Sequence, residues 1–178
     1  FGEYRHDQQF ANGITMRQLW TPLCNDLKIE FPIFGFAHDV NVVAAITNSG
    51  GYGVYGATRR FPHEIEEELA QIKNLVGDKP FGVDLVLPPG MPSHNSREAI
   101  EAEIPDEHRA FVNDLIEEYA VPDASEPGMR TRFIRSKEIE DQQLEAVLSS
   151  EVNMLACGIG APPKVIAEAK RLGKTTLA

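Results

Sequence analysis

The sequence has little cysteine and no long apolar run. Its two cysteines, Cys24 and Cys157, lie far apart and lack the spacing of metal ligands, which argues against a disulfide scaffold and a zinc site. No run of about 18 apolar residues occurs, so we expect no membrane span. Residues 1–9 are polar and lack the apolar core of a signal peptide. These absences predict a cytoplasmic protein.

Positive charge is also scarce, since 17 Lys and Arg residues stand against 27 Asp and Glu residues, for a net charge of −10. A domain this acidic repels phosphate backbones, so we expect no nucleic-acid partner. Acidic residues cluster at 64–68 and 98–107, which predicts two solvated helix faces. A short basic group follows, and it consists of Arg130, Arg132, Arg135 and Lys137. We expect this group to pair with those acids, and a contact with an anionic substrate is the alternative.

Short apolar runs alternate with capped, amphipathic segments along most of the chain. The predicted strands are 31–36, 52–56, 80–87 and 152–157, and a fifth begins at 173. The predicted helices are 21–28, 39–48, 61–76, 106–119, 136–148 and 162–172. An alternation of strand and helix at about 25-residue spacing indicates parallel βα units, with strands that neighbour one another in chain order. The predicted fold class is therefore α/β.

The predicted units correspond to part of a (βα)8 TIM barrel. A complete barrel needs about 250 residues, whereas this chain has 178. We interpret 1–20 as an N-terminal tail and 21–178 as the N-terminal half of the barrel, covering about the first four βα units. Segment 88–135 interrupts the alternation as a helical insertion after the third strand. Long loops at that end of a barrel strand act as lids or specificity loops, and an oligomer contact is the alternative.

Two polar side chains stand out near the ends of predicted strands. Asp84 lies inside the apolar run 81–87, where a buried charge is costly unless it is hydrogen-bonded. It is a candidate functional residue, and a structural hydrogen bond to a neighbouring backbone is the alternative. His38 directly follows the first strand, on the side where a barrel binds its ligand, and could act as a base, a donor or neither.

Two glycine-rich turns look like phosphate-binding motifs to different degrees. The segment 51–56 matches G-x-G-x-x-G, but it leaves a helix and opens a strand, which argues against a dinucleotide fingerprint. The turn with Gly158 and Gly160 leaves a strand and opens a helix instead. Its backbone amides could hold an anion, such as a substrate carboxylate or nitro group, and a plain turn is the alternative. We assemble no Ser–His–Asp set and no metal-binding cluster from the sequence.

Several segments carry a family resemblance. They are Leu27-Lys-Ile-Glu-Phe-Pro-Ile33, Ala44-Ala-Ile-Thr-Asn-Ser-Gly-Gly-Tyr-Gly-Val54, Pro80-Phe-Gly-Val-Asp-Leu85 and Cys157-Gly-Ile-Gly-Ala-Pro162. In this order and at this spacing they resemble the nitronate monooxygenase family, formerly called 2-nitropropane dioxygenases. The insertion segment Ile104-Pro-Asp-Glu-His-Arg-Ala-Phe111 resembles one branch of that family.

The resemblance implies a TIM barrel that binds FMN without covalent attachment and oxidises alkyl nitronates or nitroalkanes with O2. It implies that four residues line the flavin ring through backbone contacts, namely Gly35, Phe36, Ala37 and His38. Asp84 falls where many members of the family have Asn. The family's catalytic His, a flavin-contacting Lys and the phosphate-binding glycine loops come from strands five to eight, so we expect them beyond Ala178. We therefore expect these 178 residues alone to bind FMN weakly or not at all.

Two other classes of function stay open. One is an FMN-dependent enoyl reductase or dehydrogenase on the same barrel, and the other is a non-catalytic half-barrel that serves as an interaction module. A homo-oligomer is compatible with all of these interpretations. Flavin absorbance of the purified protein distinguishes the enzymes from the interaction module.

Overall fold

The computed structural model describes residues 19–93, 96–125 and 134–178. Residues 1–18 of the predicted tail therefore lie outside the described residues. Residues 94–95 and 126–133, which belong to the predicted insertion and include part of its basic group, also lie outside them. The chain divides into two units, one formed by Phe1–Pro88 with Gln143–Ala178 and the other by Pro89–Gln142. The second unit overlaps the predicted insertion, whose role stays a prediction.

The first unit is built on a parallel sheet. Its strands are β1 (Phe34–Ala37), β2 (Tyr52–Gly56), β3 (Phe81–Val86), β4 (Met154–Ile159) and β5 (Thr175–Leu177). They pair in the order β1-β2-β3-β4-β5, and every pair is parallel. Parallel neighbours need a crossover between them, and the helices supply it. The prediction of parallel strands in chain order is confirmed.

Seven helices occur among the described residues. They are α1 (Pro22–Leu27), α2 (Val40–Asn48), α3 (Pro62–Val76), α4 (Arg97–Ala102), α5 (Asp106–Glu118), α6 (Lys137–Ser149) and α7 (Pro163–Arg171). The predicted cap of α2 is present, because the Asp39 side chain accepts hydrogen bonds from the amides of Asn41 and Val42. No described helix has both the length and the apolar character needed to cross a membrane.

The two faces of the sheet carry different clusters. On one face, Tyr55, Val83 and Leu155 pack with apolar residues of the helices, such as Ile65 and Val147, in the larger core. The opposite face, which we call the inner face, holds a smaller cluster made of Leu27, Tyr52, Val54, Met154 and Ala156. Because Leu27 belongs to α1, this helix packs on the inner face against residues near the amino ends of the strands. Side chains alternate along a strand, so the next inner-face positions lie toward the carboxyl ends.

Only the second strand keeps its predicted bounds, and the largest differences are at the first and fourth strands. The first strand begins at Phe34 and not at residue 31, because Pro32 has no N–H to donate and the amide of Phe31 is bonded to the Gly50 carbonyl at 3.0 Å. The fourth strand is shifted to Met154–Ile159, and Val152 before it is bonded through its amide to the Ser150 hydroxyl at 3.4 Å. Val152 thus packs in the larger core without joining the sheet.

The second unit contains a helix that the sequence did not predict. Helix α4 is capped by Ser96, whose Oγ accepts a hydrogen bond from the amide of Ala99 at 3.1 Å. Of the basic group, Lys137 pairs with Glu140 at 3.0 Å and with Asp141 on its own helix, and not with the acids of 98–107. The residues Arg130 and Arg132 lie outside the described part of the chain.

Candidate functional site

Three polar or aromatic side chains meet at the carboxyl ends of β1 and β3. Phe36 is the third residue of β1, and His38 follows the strand directly. The two rings contact each other edge to face, with centroids 5.0 Å apart. His38 Nδ1 lies 2.7 Å from the carbonyl oxygen of Gly56, the last residue of β2. Gly56 in turn is the register partner of Asp84 on β3.

Gly56 is required by this arrangement. A Cβ atom at this position would lie 2.5 Å from Phe36 Cζ and 2.5 Å from His38 Cε1, which is far closer than carbon atoms approach each other. Because glycine has no side chain, the two rings can occupy this space. Phe36 and His38 thus pack over Gly56, and Asp84 lies beside Gly56 on the neighbouring strand.

Asp84 is half-buried and bonded to a neighbouring backbone. Its Oδ1 accepts a hydrogen bond from the amide of Gly158 at 2.8 Å, where a Cβ would lie 3.1 Å from the same oxygen. Burial raises the pKa of Asp84, while the Gly158 hydrogen bond and the charge of His38 act against that rise. The structural hydrogen bond, which was one alternative from the sequence, is present, and a functional role of Asp84 stays a prediction.

Gly35 and Ala37 are oriented away from this cluster. A Cβ at Gly35 would lie 2.5 Å from Ile46 Cδ1 of α2, and Ala37 packs against the larger core on the helix side. Both residues can therefore offer only backbone atoms to a ligand. Their contact with a flavin ring stays a prediction.

Sequence reasoning missed the residues that fix the turn after β2. Gln143 on α6 is buried and donates through Nε2 to the carbonyl oxygens of Thr58, at 3.1 Å, and of Arg60, at 2.6 Å. The hydroxyl of Thr58 accepts a hydrogen bond from the amide of Val86 at 2.9 Å. Arg60 Nη2 donates to the carbonyl oxygen of His38 at 3.4 Å. More than 80 residues separate Gln143 from its partners, so no spacing in the sequence indicates these bonds.

In the turn after β4, some of the backbone N–H groups that could hold an anion are absent or already bonded. The Gly158 amide already donates to Asp84, and Pro162 and Pro163 at the start of α7 have no N–H. Gly160 has a φ of 78°, and a Cβ there would lie 1.9 Å from the carbonyl oxygen of Leu87. The segment is a tight turn, and an anion site within it stays a prediction. The described residues also contain no cluster of three or more His, Cys, Asp or Glu side chains that could hold a metal ion.

Chemically, the cluster presents three different surfaces to a ligand. Phe36 is 57% exposed and offers an apolar ring. The Asp84 carboxylate accepts hydrogen bonds. His38 can accept or donate a proton at Nε2, because Nδ1 faces a carbonyl oxygen that only accepts and must therefore carry a hydrogen. A flat, largely apolar molecule with an N–H edge fits these surfaces.

Comparisons with known proteins agree with one another. A family described as nitronate monooxygenase matches residues 21–177. The candidate monooxygenase Rv1533 of Mycobacterium tuberculosis is 34% identical over 153 residues, which are 80% of this chain and 40% of the relative. A variant of FabK from Thermotoga maritima superposes with a TM-score of 0.55 at 20% identity, over 88% of this chain and 38% of FabK.

Nitroalkane oxidase from Streptomyces ansochromogenes superposes equally well, with a TM-score of 0.55 at 22% identity, over 82% of this chain and 37% of the oxidase. Similarity of this degree shows the fold, and the described strands are those of a partial TIM barrel. The chain spans about two fifths of the length of these proteins.

Proposed function

Because the chain belongs to the nitronate monooxygenase family, we propose that it supplies part of the active site of an FMN-dependent oxidoreductase acting on alkyl nitronates or nitroalkanes with O2. The observation that carries the proposal is the cluster of Phe36, His38 and Asp84 at the carboxyl ends of β1 and β3. TIM-barrel enzymes build their active sites at this end of the strands.

The residues of the cluster fit the ring of FMN. Phe36 offers apolar surface, Asp84 offers a carboxylate oxygen to an N–H group, and Gly35 and Ala37 offer backbone atoms. When bound, FMN would take two electrons from the substrate and pass them to O2. These residues would orient the ring. The family resemblance places Asp84 where many members have Asn, so its charge would act directly on the electronics of the ring.

We propose that the phosphate group of FMN is held by residues other than those of this cluster. Such a group needs free backbone amides or cationic side chains, and the Gly158 amide is already bonded to Asp84. The phosphate of a TIM-barrel ligand is usually held by the loops after strands seven and eight. We propose that the phosphate loops and the catalytic His of this family likewise lie beyond Ala178.

The experiment purifies the full-length protein and measures its flavin absorbance, then its O2 consumption with propyl-2-nitronate. We expect a yellow protein that consumes O2 with nitronate and without reduced nicotinamide. A flavoprotein that needs reduced nicotinamide and acts on enoyl substrates would support the reductase alternative. A colourless protein that is inactive after incubation with FMN would contradict the proposal and support a non-catalytic module.

A further inference from the structure

We propose that Arg60 is a positioning residue of the candidate site, because its guanidinium joins the helix layer to the main chain at the end of β1. This is the main chain of residues 35–38, whose backbone atoms would line the flavin ring. The identity of that ring as FMN rests on the proposed function. The link between Arg60 and the end of β1 rests on the hydrogen bonds of the structure.

The guanidinium of Arg60 is anchored on the helix side of the sheet. Its Nε lies 2.9 Å from the hydroxyl oxygen of Tyr55 and 2.9 Å from Glu68 Oε2. Tyr55 is fully buried on β2, and its hydroxyl donates to the same carboxylate oxygen of Glu68 on α3. Burial, and then the hydrogen bond to Glu68, raise the pKa of Tyr55, so the hydroxyl keeps its proton. These two partners therefore hold the guanidinium in one place.

The same guanidinium also reaches the end of β1. Its Nη2 donates to the carbonyl oxygen of His38 at 3.4 Å. His38 is attached at a second point, because Nδ1 of its ring lies 2.7 Å from the Gly56 carbonyl oxygen. The bond to Gly56 thus holds the ring of His38, whereas the bond from Arg60 holds its main chain. A planar guanidinium can donate in both directions at once, which the single nitrogen of a lysine side chain cannot do over the same span.

The main chain of Arg60 is held independently of its side chain. Its amide donates to the Ala57 carbonyl oxygen at 2.9 Å, and its carbonyl oxygen accepts a hydrogen bond from Gln143 Nε2 at 2.6 Å. Gln143 is 2% exposed and also donates to the Thr58 carbonyl oxygen at 3.1 Å. A substitution of Arg60 by another long side chain therefore leaves this turn in place. It removes mainly the link between the helix layer and His38.

The test compares the full-length wild type with Arg60→Lys. Lysine keeps the positive charge beside Glu68 but cannot also donate to the His38 carbonyl oxygen. We expect nearly unchanged thermal unfolding and faster hydrogen–deuterium exchange in peptides that contain residues 36–39. The dissociation constant for FMN should rise about three- to tenfold, as for the loss of one modest hydrogen bond. It rises because the main chain is then less often in the conformation that binds the ring.

Lys174→Met is the matched control. Lys174 Nζ also donates to main-chain carbonyl oxygens, those of Ser150 at 2.7 Å and Val152 at 2.9 Å, but it precedes β5 and lies at the amino end of the sheet. Its replacement leaves two carbonyl oxygens without this donor and should lower the thermal stability. FMN binding and the exchange of residues 36–39 should stay as in the wild type.

Wild-type values in Arg60→Lys of either the exchange at residues 36–39 or the FMN dissociation constant overturn the proposal. So does an equal rise of the dissociation constant in Lys174→Met, because the rise would then follow from lower stability alone. Should Arg60→Lys fail to fold, Glu68→Gln releases the guanidinium from its other end and should give the same two changes. Visible flavin absorbance of the same samples tests the proposed function separately. If the wild type binds no FMN, the cofactor is refuted, and the exchange of residues 36–39 still decides the role of Arg60.

Discussion

At the scale of a single residue, Asp84 links the stability of the fold to pH. Burial raises its pKa in the folded state above the value of an unfolded chain, so the folded state binds the proton more tightly. The resulting contribution to stability is fully present below the unfolded pKa of about 3.9 and is lost as pH rises through the raised folded value. At neutral pH the half-buried carboxylate therefore weakens the fold.

We expect Asp84→Asn to be more stable than the wild type at pH 7.5 by about 1 kcal/mol or less, and to gain nothing at pH 3.5. The Asn side-chain oxygen can still accept the hydrogen bond from the Gly158 amide, so the loss of charge is the main change. Urea unfolding of both proteins at the two pH values measures the effect. Asp39→Asn is the control, because it removes a carboxylate from an exposed cap that Asn also serves. If the difference in free energy of unfolding between the wild type and Asp84→Asn is the same at both pH values, the proposed effect of the Asp84 charge is wrong.

At the scale of elements, the junction between β4 and α7 depends on Gly160. Its φ of 78° lies in the left-handed region, and a Cβ would lie 1.9 Å from the backbone carbonyl oxygen of Leu87. The amide of Leu87 also donates to the Ile159 carbonyl oxygen at 2.7 Å, so the two segments are held in close backbone contact. The segment at Leu87 and the segment at Gly160 therefore cannot move apart without breaking this hydrogen bond.

Gly160→Ala should therefore lower the free energy of unfolding by about 2–4 kcal/mol, as the sum of about 1–2 kcal/mol for the left-handed backbone and a similar cost for displacing Leu87. Gly173→Ala is the matched control, since Gly173 has a φ of 76° and a Cβ added there would meet no atom within 4 Å. Gly173→Ala should therefore lower the free energy of unfolding only by the cost of the left-handed backbone. Chemical unfolding of both variants gives the difference, and equal losses would mean that the contact with Leu87 has no effect.

The elements that the sequence predicts are those with local signals. Asp39 and Ser136 cap their helices as expected, through hydrogen bonds to the amides of the first turn. Asp84 is a candidate from the sequence because it is a charge within an apolar strand, and its functional role stays a prediction. The role of Gln143 depends on a pairing between α6 and the turn after β2, which only the folded chain brings together. The requirement for glycine at position 56 was missed for the same reason. It arises only because the rings of Phe36 and His38 pack against this residue in the fold.

At the scale of the whole molecule, the described sheet has two edges. Among the described strands, β1 pairs only with β2, and β5 pairs only with β4. Large apolar side chains are exposed on these strands, with Phe36 at 57%, Phe34 at 39% and Leu177 at 48%. In a closed barrel further strands pair with both edges and cover the inner face. The FMN ring and its phosphate are then held by different halves of the barrel, according to our proposal.

We expect the 178-residue chain alone to bind FMN weakly, and no better than riboflavin, which lacks the phosphate. A well-made phosphate site supplies several charge-assisted hydrogen bonds of about 1.5–3 kcal/mol each, so losing two of them weakens binding by about a hundredfold or more. The net charge of −10 adds a repulsion that salt partly screens. Titration of the chain with each flavin, followed by flavin fluorescence, measures both affinities. Tight binding of FMN with a large preference over riboflavin would show that these residues form a phosphate site of their own, and that the ring and the phosphate are not divided between two halves of a barrel.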